Sequence, residues 1–286
     1  MTDKLARGRL GLRYEDISQE GVLRLETLAA ALGVVWRGAL GDHPLVAACL
    51  REAVLPILTE LEIEGAPGPF AIDAAIDAAG RAELSHVPGP EGRPSRILLD
   101  IVADLEGTLG RTNLPPPANA GARAPAGRVF ARHVFTRPFA PPGERRVLAL
   151  PEPGDDGRPV PEAIAAWEDP DVFGGPPPGA AALASPEPVG EVVFGYLHTD
   201  SNQHVNSLVY PRLFEEAALR RLRAAGRSTQ VHAAKVRVGF RKPSFVGDLA
   251  RIVVGLYEEG GALVAAGGFA CEGEDKLRAS VRMTFR

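Results

Sequence analysis

Thr199-Asp200-Ser201-Asn202-Gln203-His204-Val205-Asn206-Ser207, with Tyr210 and the pair Glu215-Glu216 close behind, is the densest chemical cluster in the chain. An acid, amides and a histidine gather at the end of an apolar run. The segment from Pro211 to Ala225 then reads as a helix, because proline fits a first turn and Gly226 supplies a stop. Polar groups collected at a helix start can hold a water and a carbonyl oxygen, which hydrolysis of an activated acyl group requires.

Outward from this cluster the pattern is that of sheet. Glu191–Leu197 precedes it as a short strand. After the helix come Lys235–Phe240, with Val236, Val238 and Phe240 on one face, Arg251–Tyr257, with Ile252, Val254 and Leu256, and Ala262–Cys271. Lys276–Arg286 closes the chain, Leu277, Ala279, Val281, Met283 and Phe285 alternating with polar residues. Alternation of this kind predicts strands with one buried face.

The first half repeats the order. Gly8–Tyr14 reads as a strand, Gly21–Ala39 as a helix and Pro44–Leu50 as a further helical turn or two. Strands follow near Ile57–Ile63, Phe70–Leu84, Arg96–Leu105 and Arg128–Thr136, with Leu114–Ala126 as a loop. Laid on the second half, Asp16 falls on Asp200, Ser18 on Asn202, Glu20 on His204 and Val22 on Asn206. Only the aspartate is kept, so the first half is expected to have lost the chemistry and retained the fold.

Thirteen of the 26 prolines lie between Pro138 and Pro188, including Pro176-Pro177-Pro178. Proline removes backbone donors and fixes φ, which argues against regular sheet or helix there. The expected organisation is an N-terminal domain over 1–150, a linker over 151–189 with one helical turn near Ala163–Trp167, and a C-terminal domain over 190–286 that carries the motif.

A chain of 286 residues suits two domains of roughly 100–150 each. With 45% apolar and 24% charged residues it has the composition of a soluble globular protein. The net charge of −4 argues against a nucleic-acid-binding surface, which is normally basic. Cys49 and Cys271 form neither a disulfide framework nor a metal spacing, and reduced thiols in a cytoplasmic protein are expected. Met1-Thr2-Asp3-Lys4 begins without an apolar leader, and no stretch reaches the ~18 apolar residues of a membrane span. No metal or cofactor is called for.

The run Asp200-Ser201-Asn202-Gln203-His204-Val205-Asn206-Ser207-Leu208-Val209-Tyr210 resembles the hotdog-fold thioesterases. Within them it is most similar to the acyl-carrier-protein thioesterases of plants and bacteria. That family carries Asp-x-Asn-x-His-Val-Asn-Asn-x-x-Tyr at the start of its long central helix, with a glutamate five or six residues after the tyrosine. Glu215 and Glu216 satisfy both spacings, and Ser207 stands where a second Asn is usual. Arg13-Tyr14-Glu15 and Leu25-Glu26-Thr27-Leu28 resemble the opening of the plant members, which pair two hotdog domains in one chain. The resemblance implies an α+β tandem double hotdog, each half an antiparallel sheet wrapped around a long central helix. It also implies a hydrolase of acyl thioesters, carried on an acyl carrier protein or coenzyme A, in fatty-acid or polyketide biosynthesis.

On that reading the catalytic candidates are Asp200, Asn202, His204, Glu215 and Glu216, with Asn206, Ser207 and Tyr210 as substrate-binding residues. His204 is the natural general base, since its pKa lies near neutrality. Asn202 would hold the water or the carbonyl, a backbone N–H near Val205–Ser207 would face the oxyanion, and Asp200 or Glu216 would orient the imidazole; a carboxylate acting on water is the alternative. One of Glu215 and Glu216 is expected to make a surface pair such as Glu216–Arg220, and Tyr210 to pack. Lys242-Pro243-Ser244 and Gly247-Asp248 read as a structural turn. Arg220, Arg221 and Arg223, with Arg212 and Arg227, form a basic group on the helix where an acidic carrier protein would dock, or which is simply a solvated face. A dehydratase pattern of His-x-x-x-Gly-x-x-Pro is absent around His204. An acyltransferase of double-hotdog fold and a non-catalytic acyl-thioester-binding module are the competing readings. The oligomeric expectation is a monomer of two hotdogs or a homodimer.

Overall fold

Alternating apolar residues build antiparallel sheet in both halves of the chain, and a computed structural model describes residues 5–111, 115–151 and 159–286. Two compact units result, one of Met1–Thr59 and Gly65–Trp167, the other of Glu60–Glu64 and Glu168–Arg286. The N-terminal Met1–Lys4 lies outside the described residues.

In the first unit β1 (Ala6–Leu10) leads to α1 (Leu25–Leu28), α2 (Ala30–Val35), α3 (Pro44–Arg51), the ends of β2 (Leu55–Gly65) outside Glu60–Glu64, β3 (Ile76–Pro88), β4 (Pro94–Thr108) and β5 (Arg123–Thr136). The sheet order β1-β3-β4-β5 is antiparallel throughout. Ile97, Leu99, Ile101, Ala103 and Leu105 on one face of β4 are buried, and α2 packs on this sheet with Ala31, Val34 and Val35 inward. The helix predicted over Gly21–Ala39 is shorter and broken: it starts at Leu25, interrupts after Leu28, and passes into a π-turn over Trp36–Leu40. Gly38 lies within the π-turn, and glycine is a weak helix former. The strand predicted from Phe70 begins only at Ile76, because Phe70 is engaged with Leu109 in an isolated bridge and donates its N–H to Gly21 O at 2.9 Å. β5 starts at Arg123, inside the stretch expected to be loop, and Pro125 is accommodated where the β4–β5 register shifts; Leu114 lies outside the described residues.

Ala163–Trp167 is extended, not helical. β1 covers only Ile76–Gly80 of β3, and beyond it Ile164 bridges His86 in parallel. His86 donates to Ala163 O and accepts from Ala165 N, both at 2.9 Å. Trp167 then lies under the Arg96 guanidinium, 4.2 Å away. The open backbone groups of a sheet edge favour extended chain over a lone helical turn.

In the second unit β6 (Ala181–Val193), α4 (Val209–Ala224), β7 (Ala233–Phe240), β8 (Leu249–Glu259), β9 (Ala262–Cys271) and β10 (Ala279–Phe285) follow in order. The sheet runs β7-β10-β9-β8-β6, with Glu60–Glu64 of β2 beside β7. β6 is longer than the predicted Glu191–Leu197 and starts well inside the proline-rich stretch. Pro186 and Pro188 are tolerated because β6 pairs on one side only and shifts register three times against β8. Ahead of it, Pro170–Gly174 forms a 3₁₀ turn whose Phe173 is fully buried beneath the Arg237 guanidinium, 4.0 Å from the ring.

The helix α4 buries Tyr210, Phe214, Ala217, Ala218 and Leu222, a spacing of three and four that makes one apolar stripe against the sheet. Each large side chain so buried contributes roughly 1.5–3 kcal/mol. Gly226, at φ +69°, ends the helix: its N–H reaches Arg223 O at 3.0 Å and Arg227 N reaches Leu222 O at 2.9 Å. This pair of bonds satisfies the last carbonyls and needs a left-handed residue between them.

Candidate active site

The loop between β6 and α4 is held from both ends. Phe194, fully buried, donates to Asp248 O at 3.0 Å and accepts from Gly247 N at 2.8 Å. A 3₁₀ turn over Tyr196–His198 follows, in which Gly195 N donates to His198 Nδ1 at 3.1 Å. Thr199 then bridges Val205, Val205 N donates to Ser244 O at 2.8 Å, and Asn206 N donates to His198 O at 2.8 Å. Phe245 N in turn donates to Asp248 Oδ2 at 3.0 Å, and Arg278 pairs with Asp248, so the turn read as structural does brace the loop.

Within the loop Asp200 accepts twice, from Asn202 N at 2.8 Å and from Asn206 Nδ2 at 2.9 Å. Asn206 Oδ1 accepts Leu208 N at 2.9 Å at the foot of α4. Asp200 therefore grips the loop, and neither of its oxygens bonds the imidazole. The His204 ring turns Nδ1 toward Val205 O at 3.1 Å. A carbonyl only accepts, so Nδ1 carries the proton and Nε2 is left as an acceptor. His204 is half-buried and Asn202 exposed. From Val205 to Val209 the backbone N–H groups are engaged except that of half-buried Ser207, which has no partner among the described residues.

Tyr210 is buried between Phe194, Phe240 and Phe269, its ring centroid 5.0 Å from that of Phe269. Burial pushes the phenol pKa up, against a smaller opposing effect of Ser244 beside it. The group stays protonated and packs. Glu216 is exposed and pairs with Arg220 at 3.3 Å, while Glu215 is half-buried on the same helix. Arg223 is exposed. Arg221 is not part of that open face: its guanidinium reaches back to Glu187 at 2.7 Å and Ser185 O at 3.1 Å on β6, leaving the side chain 11% exposed.

The first unit repeats the internal backbone pattern of this loop. Ile17 bridges Leu23 as Thr199 bridges Val205, after a 3₁₀ turn over Tyr14–Asp16 that matches Tyr196–His198. Ser18 N donates to Val22 O as Asp200 N does to His204 O, and Arg24 N to Asp16 O as Asn206 N does to His198 O. Asp16 thus corresponds to His198, not Asp200; the predicted register is two residues off. Ser18 stands at Asp200, Glu20 at Asn202, Gly21 at Gln203, Val22 at His204 and Arg24 at Asn206. Not one of these side chains is shared. Asp16 instead ties Arg13 and Thr27, accepting from Arg13 N at 2.8 Å and Thr27 Oγ1 at 3.2 Å.

What sequence reading missed is the grip of Asp200 on Asn206 and the role of His198 and Ser244 in fixing the loop. Asp200 and Asn206 meet only where the loop turns back on itself, and Ser244 reaches Val205 from a distant turn. Among the described residues no helix is long and apolar enough to cross a membrane, and no group of three His, Cys, Asp or Glu is placed to hold a metal ion.

An antiparallel sheet with a helix on one face, formed twice in one chain, is the double hotdog fold. The solved structures that share it over nearly the whole chain include acyl-ACP thioesterases. One, from Bacteroides thetaiotaomicron VPI-5482, is 11% identical and matches 99% of this chain and 98% of its own at a TM-score of 0.61. Another, the 12:0-ACP thioesterase from Umbellularia californica, is also 11% identical, over 99% of this chain and 94% of its own, at 0.59. At such identities the likeness is one of fold. No protein-family model and no curated protein matches the sequence.

Proposed function

We propose that the chain is a thioesterase that hydrolyses an acyl thioester, borne on an acyl carrier protein or coenzyme A, to the free acid. The observation that carries this reading is the loop Asp200–Ser207 on a hotdog unit, which presents an imidazole acceptor, an exposed amide and an N–H without a partner among the described residues in one short segment ahead of α4. His204 Nε2 takes a proton from water as it attacks the thioester carbon, and Asn202 positions that water or the carbonyl. The Ser207 N–H, aided by the helix dipole, faces the developing oxyanion. The C–S bond then breaks and the imidazolium returns its proton to the departing thiolate. Asp200 acts on none of these atoms; it fixes the loop through Asn206. The exposed apolar side chains Val193, Tyr196, Leu197, Phe245 and Val246 next to the loop suit a substrate that brings its own apolar chain.

The test is purified protein incubated with acyl-CoA and acyl-carrier-protein substrates, with free thiol and free acid both measured. Equal release of thiol and acid is expected. Thiol release with the acyl group passed to an added thiol would instead mark an acyltransferase, and tight binding without release a binding module.

A further inference from the structure

Gln203 has a backbone conformation its side chain does not favour. Its φ is +65°, the left-handed region, where a Cβ is penalised and glycine is at ease. The matching residue of the first unit's loop is Gly21, at φ +82°. The two loops share their turn bonds, and glycine satisfies the turn in the first unit, where a Cβ would also meet Pro69 at 2.5 Å. The unit that carries the histidine nonetheless keeps a long carboxamide at this point. That carboxamide is exposed and makes no hydrogen bond among the described residues. Strain retained at a candidate site, with no internal use for the side chain, points to an external one.

The chemistry of the loop's apex narrows what that is. Ser201, Asn202 and Gln203 are all exposed and all neutral. They offer a hydroxyl and two amides, with no cation among them for a phosphate. A carboxamide donates and accepts at once, which complements another amide in both senses. If the thioester carbonyl sits between His204 and the Ser207 N–H, the thiol side of the substrate leaves past this apex. In coenzyme A and in carrier proteins alike that side is a pantetheine arm containing two amides. We propose that Gln203 is a specificity-determining residue whose carboxamide hydrogen-bonds an amide of the pantetheine arm, an assignment that rests on the thioesterase reading above.

Gln203→Gly and Gln203→Asn, in the full chain, test it on acyl-pantetheine, acyl-CoA, acyl-carrier protein and the corresponding S-ethyl thioester, which lacks the amides. For Gln203→Gly a loss of about tenfold in kcat/KM is expected on the three arm-bearing substrates, with S-ethyl hydrolysis unchanged and Tm equal or higher because the Cβ penalty is gone. Gln203→Asn, which tolerates the same φ with a shorter amide, should fall between. Equal loss on all four substrates would reduce Gln203 to a loop-shaping residue and overturn the proposal, as would no loss, or a loss confined to coenzyme A or to the carrier protein. Wild-type protein that cleaves none of the four would remove the thioesterase reading itself, a result distinct from any of these.

Discussion

Asp200 holds Asn206 across the mouth of the loop, Oδ2 accepting from Nδ2 at 2.9 Å, while Asn206 in turn accepts the N–H of Leu208 at the foot of α4. The carboxylate is therefore joined to the helix through an amide. Asp200→Ala removes the acceptors of both Asn202 N and Asn206 Nδ2 and should lower turnover by roughly 10²-fold through misplacement of His204 and Asn202, a scale expected when reacting groups shift by about 1 Å. Asp200→Asn keeps one acceptor and should lose less. If Asp200 were the base, the two substitutions would be equally severe, and the pH profile of Asp200→Asn would lose its acid limb.

His204→Ala and Asn202→Ala should each reduce kcat by roughly 10²-fold or more, the range for loss of a general base or a positioning donor. Both side chains are at least partly open to solvent, so thermal melting should stay within a few degrees of the wild type. Near-wild-type turnover in both would remove the site.

The matched positions of the first unit should behave differently. Ser18→Ala and Glu20→Ala are expected to leave turnover within about threefold, since neither an imidazole nor an amide stands there. Hydrolysis abolished by Glu20→Ala in a folded protein would mean that the first unit supplies catalytic groups.

The arginines of α4 should separate by function. Arg221→Ala cuts the tie to Glu187 and Ser185, and since Glu187 is half exposed its effect should be about 1–2 kcal/mol, a fall in Tm of a few degrees with no substrate preference. Charge reversal of Arg220 and Arg223 should instead lower kcat/KM for carrier-bound substrate, more at low salt than at high, because exposed charges are screened beyond ~10 Å at 0.1 M. An equal effect on acyl-pantetheine would return the face to simple solvation.

Asp16 offers a pH-linked test. Burial alone would raise its pKa, but hydrogen bonds from the Arg13 side chain and N–H, the Arg13 charge and the Thr27 hydroxyl together bring it below the ordinary carboxylate value. A group depressed on folding stabilises above its unfolded pKa and loses that contribution as pH falls through the folded value. Wild-type protein should therefore melt above Asp16→Asn at pH 6–7, and the gap should close below about pH 4. A gap that does not narrow at all as the pH is taken down from 5 to the most acid value at which the protein stays folded would show that the carboxylate's charge is not what matters.

The fold was legible where local chemistry and global packing agree. β9 spans Ala262–Cys271 with the bounds read from the sequence, and α4 stops where Gly226 requires. β6 was hidden because Pro186 and Pro188 speak locally for loop, while single-sided pairing and register shifts make them harmless. The candidate residues of the loop were visible through their spacing. Their arrangement was not, because Asp200 and Asn206 meet through space, and because matching aspartate to aspartate put Asp16 on Asp200 where backbone bonds put Ser18.

The same Pro186 and Pro188 have a further consequence. A sheet border is normally a row of unsatisfied donors and acceptors that another chain can copy. Along β6 two of those donors are missing and three register shifts bend the row, so an incoming strand finds no regular template. Around Pro186 and Pro188 the border is blunted against recruitment by its covalent structure. Exchange of both prolines for β-branched residues should leave hydrolysis intact and turn concentrated, warmed protein toward strand-to-strand aggregation.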